Sequence, residues 1–109
     1  MANSGEYVMV TTTCADKETA KRLADVLIKA RLAACVQLLT IESIYVWKGE
    51  VCDEGEVLLL IKTRAALYSD LAATIRENHP YEIPEIIQLP IAGGLPEYLH
   101  WIDDCVKLL

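Results

Sequence analysis

Apolar and polar positions along this chain switch repeatedly between a period near two and a period near 3.6. From Tyr7 to Thr13 a β-branched run ends in three threonines, which predicts a strand. Asp16 stands where a helix N-cap belongs. Ala20, Leu23, Ala24, Leu27 and Ile28 follow at helical spacing, with Lys17, Lys21, Arg22, Asp25 and Lys29 on the opposite face. This helix is expected to end near Arg31. Ala33 to Leu39 predicts a second strand that continues, after a break, into Ser43 to Trp47. Lys48-Gly49-Glu50 reads as a turn, and Val51 to Thr63 as a returning strand with a bulge at Gly55. Leu67, Leu71 and Ile75 mark a second helix, with Ser69, Asp70, Arg76 and Glu77 outside. Glu85 to Ile91 predicts a fourth strand, broken by Gly93-Gly94. Pro96 is suited to open a short last helix carrying Tyr98, Leu99, Ile102 and Val106.

The resulting order, β-α-β-β-α-β plus a terminal helix, predicts an α+β domain of ferredoxin-like type over residues 1–109. Two right-handed crossovers place both helices on one face of a split sheet. Two details bear on assembly. Val57-Leu58-Leu59-Leu60-Ile61 is apolar on both faces, whereas a sheet covered on one side should alternate. The returning strand, at roughly 3.4 Å per residue, would reach about 44 Å, against about 30–35 Å for a domain of this size. The hairpin must therefore bend or project. Both details predict a homo-oligomer with facing sheets and hairpins that pair with neighbours.

Composition points the same way. The chain has 109 residues, enough for one core, and 53% of them are hydrophobic. Its mean hydropathy of +0.27 is high for so short a chain, so some apolar surface is expected to face another copy. Ten basic against sixteen acidic residues give a net charge of −6 with no basic stripe. That argues against nucleic acid and anionic membranes as partners. The start, Met1-Ala2-Asn3-Ser4-Gly5-Glu6, lacks the basic region of a signal peptide, and no stretch is long enough to span a bilayer. Cys14, Cys35, Cys52 and Cys105 are scattered, which favours free thiols and a cytoplasmic location.

The stretch with most chemistry is His79-Pro80-Tyr81-Glu82-Ile83-Pro84-Glu85, where two prolines stiffen a corner between a helix and a strand. His79 suits Cu, Zn or Ni, and equally suits capping a helix C-terminus. Cys14 can offer a thiolate to soft Cu(I), or pack as a small apolar side chain. Glu50, Asp53, Glu54 and Glu56 form an acidic cluster on the hairpin, open to hard cations or simply solvated. There is no nucleophile elbow, glycine-rich phosphate loop or HExxH pattern, so the chain is not expected to be an enzyme or to carry an organic cofactor.

Five ordered motifs carry a resemblance. They are Arg31-Leu32-Ala33-Ala34-Cys35-Val36-Gln37, Ser43-Ile44-Tyr45-Val46-Trp47-Lys48-Gly49, and Glu56-Val57-Leu58-Leu59-Leu60-Ile61-Lys62-Thr63. His79-Pro80-Tyr81-Glu82-Ile83-Pro84-Glu85-Ile86-Ile87 and Tyr98-Leu99-His100-Trp101-Ile102 complete the set. Together they resemble the CutA divalent-cation tolerance proteins from Val8 onward. The resemblance implies a ferredoxin-like fold, a homotrimer similar to the PII signalling proteins, and tolerance of copper and other divalent metals. In some members copper is assigned to a cysteine at the end of the first strand and to a His-His pair before Pro-Tyr. Here those positions hold Thr12, with Cys14 two residues on, and Asn78-His79, so only His79 matches.

The resemblance further suggests that Tyr45, Trp47, Lys62, Tyr81, Glu85 and Trp101 line clefts between subunits. Aromatic walls with a lysine and a carboxylate would suit a small anionic or zwitterionic ligand. Ordinary interface packing would use the same residue types. The expected function is a trimeric copper or divalent-cation tolerance protein of modest affinity, with His79 and Cys14 as ligands. A PII-like sensor binding a small metabolite between subunits is the alternative, and a ligand-free scaffold the third.

Overall fold

A computed structural model describes residues 6–107. The reading of Met1 to Gly5 as lacking an export signal, like the last two residues of the predicted domain, lies outside that range. Among the described residues the order is β1 (Tyr7–Cys14), α1 (Lys17–Lys29), β2 (Cys35–Trp47), β3 (Glu50–Arg64), a 3-10 turn (Ala65–Leu67), α2 (Tyr68–Asn78), β4 (Ile87–Pro90) and α3 (Pro96–Cys105). The strands form one sheet in the order β2-β3-β1-β4, and every neighbouring pair is antiparallel. β3 therefore lies between β1 and β2, and β1 between β3 and β4, which is the ferredoxin-like split arrangement.

The helix boundaries follow from local chemistry. Asp16 caps α1 by accepting the Thr19 N–H at 2.7 Å. The chain leaves α1 through Arg31, whose φ of 58° is a conformation usually given to glycine. Arg31 compensates through its side chain, which donates to the carbonyls of Asp104, Cys105 and Val106 at 3.3–3.4 Å. Those carbonyls close α3, so one guanidinium ties the ends of two helices together.

The core lies between the sheet and the pair α1–α2. Val8, Val10 and Cys14 of β1 and Val57, Leu59 and Ile61 of β3 meet Leu23, Leu27, Leu71 and Ile75. On the opposite face α3 covers one end, where Leu99 and Ile102 pack on Tyr7. The rest of that face is bare. Leu58 and Leu60 are half-buried, and Leu39, Ile87 and Leu89 are exposed by 50%, 50% and 45%. The two-sided apolar run in β3 is thus real, and only one of its sides is covered within the chain.

β1 stops pairing with β3 at Cys14, opposite Val57. Beyond that point Ile41 to Trp47 pairs only with Glu50 to Glu56, as a two-stranded arm. Lys48 and Gly49, with φ of 50° and 81°, close it in the primed hairpin geometry that matches strand twist. The arm accounts for a molecule 46 Å long but only 25 and 21 Å across. Ile44, Val46 and Val51, about 70% exposed, share one face of it.

Three boundaries differ from the sequence reading. β2 has no break between Leu39 and Ser43, and β3 has no bulge at Gly55. The register runs without a slip from Cys35 opposite Lys62 to Trp47 opposite Glu50. Thr40 and Ile41 are β-branched and continue the ladder, while Gly55 pairs with Glu42 inside it. β4 is also shorter than Glu85 to Ile91, spanning Ile87–Pro90, although the Ile91 N–H still donates to the Tyr7 carbonyl at 2.9 Å.

Candidate functional site

The 79–86 loop carries the candidate chemistry past the open end of β1. His79 ends α2 in extended geometry, as the residue before Pro80. Its Nε2 lies 2.7 Å from the Thr13 carbonyl, and its Nδ1 accepts the Tyr81 N–H at 3.1 Å. A carbonyl can only accept, so Nε2 carries the proton and Nδ1 does not. The Cys14 Sγ sits 3.9 Å from the same Nε2, across 65 positions of sequence. Cys14 is fully buried, and its thiol is pushed up to about 11, by burial first and then by the charges of Asp16 and Glu56. It rests as a neutral thiol. Thr12, on the same strand face, is fully buried with no partner for its hydroxyl.

On the other side of this loop lies a cavity of about 690 Å³ between the loop and the hairpin arm. Period-two alternation points Ser43, Tyr45 and Trp47 of β2 and Glu54 and Glu56 of β3 into it. The loop adds Tyr81, Glu82 and Glu85. Tyr81 donates its phenol to Glu56 Oε2 at 2.8 Å, and Tyr45 to Glu54 Oε1 at 3.0 Å. Burial and the Glu56 bond raise Tyr81 far above an ordinary phenol, while the Glu54 bond pushes Tyr45 up to about 12. Glu85 Oε2 accepts from the Thr11 hydroxyl at 2.9 Å. At the rim Lys48 faces Glu82 at 3.8 Å and lies 5.6 Å from the Trp47 ring centre.

The six residues expected in one cleft fall into two groups within the chain. Tyr45, Trp47, Tyr81 and Glu85 line the cavity. Lys62 and Trp101 do not. Lys62 donates to the Tyr98 hydroxyl at 3.2 Å, and Tyr98 stacks on Trp101 with ring centres 5.4 Å apart. The acidic hairpin cluster also divides, with Glu54 and Glu56 lining the cavity and Asp53 on the other face of the arm. Glu56 was the residue sequence reasoning undervalued. Its place in phase with Leu58 and Leu60 puts it on the sheet face away from the core, where Tyr81 of the loop covers it.

Residues 8–105 match the family described as CutA1 divalent ion tolerance protein. The chain belongs to that family. It is 46% identical over 104 residues to protein CutA of Mus musculus, a match covering 94% of this chain and 59% of the mouse protein. The chain thus spans little more than half the length of that relative. The divalent-cation tolerance protein CutA of Thermus thermophilus is 43% identical over 91% of this chain and 95% of its own length. The crystal structure of CutA1 from Oryza sativa superposes with a TM-score of 0.91 at 41% identity, covering 97% of this chain and 98% of the rice chain.

Membership in the CutA1 family directs attention to metal donors. Among the described residues no group of three or more His, Cys, Asp and Glu side chains is placed to hold a metal ion. Cys14 and His79 are brought together as a pair of donors and no more. Cys35, Cys52 and Cys105 are free thiols away from that pair. No helix among the described residues is long and apolar enough to cross a membrane.

Proposed function

We propose that this CutA1-family chain is a non-catalytic homotrimer of the cytosol that binds copper or another divalent ion with modest affinity at Cys14 and His79. The observation that carries the metal contact is the 3.9 Å between Cys14 Sγ and His79 Nε2. One ion can bridge such a gap, since metal bonds run about 2.3 Å to sulfur and about 2.0 Å to nitrogen. Modest affinity follows from what binding displaces. The thiol must lose its proton from a position pushed up to about 11. The imidazole must also give up its bond to the Thr13 carbonyl and, on moving its proton to Nδ1, the bond from the Tyr81 N–H. Two donors leave coordination positions open for water or for groups of a neighbouring copy.

The bare sheet face and the apolar arm support association, and the family resemblance supplies the number three. Free thiols at all four cysteines support a reducing compartment. Titration of Cu(II) against the protein and its Cys14→Ala and His79→Ala variants tests the metal contact. Weaker binding in both variants is expected, and unchanged affinity in both removes the pair from the site.

The aromatic cavity favours a second reading, a PII-like sensor that takes a small ligand beside its hairpins. Melting temperatures measured across metals and metabolites separate the readings, because a ligand of the folded form raises the melt.

A further inference from the structure

His79 links the two faces of the sheet. On the core side its Nε2 lies 2.7 Å from the Thr13 carbonyl and 3.9 Å from the Cys14 Sγ. On the other side its Nδ1 accepts the Tyr81 N–H at 3.1 Å, and Tyr81 in turn donates its phenol to Glu56 Oε2 at 2.8 Å. Glu56 stands at the root of the arm. It pairs with Ile41, one step beyond Cys14 opposite Val57, where β1 stops pairing with β3. Two hydrogen bonds in series therefore run from the proposed metal donors to the strand that carries the arm. The link is short and stiff. Only Pro80 separates His79 from Tyr81, its ring fixes one backbone torsion, and the imidazole and phenol rings lie 4.7 Å apart.

The hydrogen bond at one ring nitrogen decides which tautomer an imidazole adopts. The Tyr81 N–H can only donate, so while Tyr81 is held against Glu56 the Nδ1 lone pair is taken and the proton stays on Nε2. That tautomer cannot ligate through Nε2. For Nε2 to offer its lone pair beside Cys14, the proton must move to Nδ1, where it faces the Tyr81 N–H, donor against donor. Tyr81 must then retreat, which draws its phenol away from Glu56. We propose that Tyr81 is a positioning residue. By its hold on Glu56 it keeps His79 in the tautomer that does not bind metal at Nε2, and binding at Nε2 in turn loosens that hold at the root of the arm. The first half concerns the imidazole alone, and the second rests on metal binding at Cys14 and His79. Coupling between two sites is reciprocal, so it can be read from either end.

The test compares the full chain with Tyr81→Phe, which keeps the ring and removes the phenol. Tyr45→Phe is the control, since it removes a similar bond to Glu54 further out on the arm. Without metal, nitrogen NMR shifts of the imidazole report its tautomer, and His100→Gln tells the two histidines apart. A fixed Nε2–H form is expected in the unmodified chain and in Tyr45→Phe, and a mixture of tautomers in Tyr81→Phe. With Cu(II), Tyr81→Phe should bind about tenfold tighter, because the phenol bond no longer has to be broken, and Tyr45→Phe should bind as before. A variant weakened only in its packing would bind no tighter. In the unmodified chain, copper should speed hydrogen exchange at the Tyr81 amide, read by mass spectrometry. Identical imidazole shifts in all three proteins overturn the proposal, as does equal or weaker copper binding in Tyr81→Phe. Unchanged exchange at Tyr81 in copper overturns the coupling even if Tyr81→Phe fails to fold. A tautomer mixture in Tyr81→Phe, with copper affinity indifferent to Cys14→Ala and His79→Ala, overturns the metal reading and the second half with it, and leaves the first half standing.

Discussion

Tyr81→Phe isolates the bond that holds the 79–86 loop against the arm. The substitution removes one hydroxyl and keeps the ring that lies 4.7 Å from His79. What is lost is the 2.8 Å bond to Glu56 Oε2. A hydrogen bond to a charged group is worth about 1.5–3 kcal/mol, and leaving a buried charge without its donor sets the loss toward the upper end. Glu56 is 8% exposed, so water cannot readily replace the phenol. We expect a loss near 2 kcal/mol in urea denaturation, read at fixed protein concentration because association shifts apparent stability. Tyr45→Phe is the control. It removes a bond of similar length, 3.0 Å, to Glu54 on the exposed arm, where water substitutes, and should lose much less. Equal losses in the two variants, or no loss in Tyr81→Phe, would refute the claim that Glu56 is a buried charge leaning on one phenol.

Two further outcomes follow from the same structure. Arg31→Ala keeps the left-handed backbone and loses three carbonyl contacts, for about 1–2 kcal/mol, whereas Arg31→Gly also relieves the backbone and should be about 1 kcal/mol more stable than the alanine variant. Melts of both variants check the order, and an alanine variant as stable as the glycine one contradicts it. The Cys14 thiol is raised from 9.0 to about 11, so its contribution is fully present below pH 9 and is lost as pH rises through 11. That amounts to roughly 3 kcal/mol at about 1.4 kcal/mol per pH unit. Cys14→Ala should flatten this part of the stability–pH curve, and parallel curves for the two proteins from pH 8 to 11 would rule the thiol out.

The parts of the fold that were legible in sequence rest on local chemistry. Asp16 before an amphipathic run, Pro96 at a helix start and Lys48-Gly49 between two apolar strands each dictate their element within a few residues. The misread break near Thr40 and bulge at Gly55 come from weighing polar residues and a glycine locally, when the opposing strand holds the register. The site was legible in part. His79 matches the histidine the family resemblance points to, Cys14 stands two residues beyond the matching strand position, and the fold brings the two within 3.9 Å. Within one chain Tyr45, Trp47, Tyr81 and Glu85 meet around the cavity, while pairing places Lys62 opposite Met9, toward the far end of β1 from Cys14. Glu56 looked like one more hairpin acid because burial depends on Tyr81, 25 positions away.

The face of the sheet bearing Leu58, Leu60, Ile87 and Leu89, and the arm bearing Ile44, Val46 and Val51, make association with other copies the claim on which the proposed assembly rests. Light scattering on the purified chain at micromolar concentration measures it directly. The account predicts a mass of about three times 12.1 kDa, falling when Leu60→Asp puts a charge on the bare face. A mass of 12.1 kDa together with a cooperative melt would contradict it.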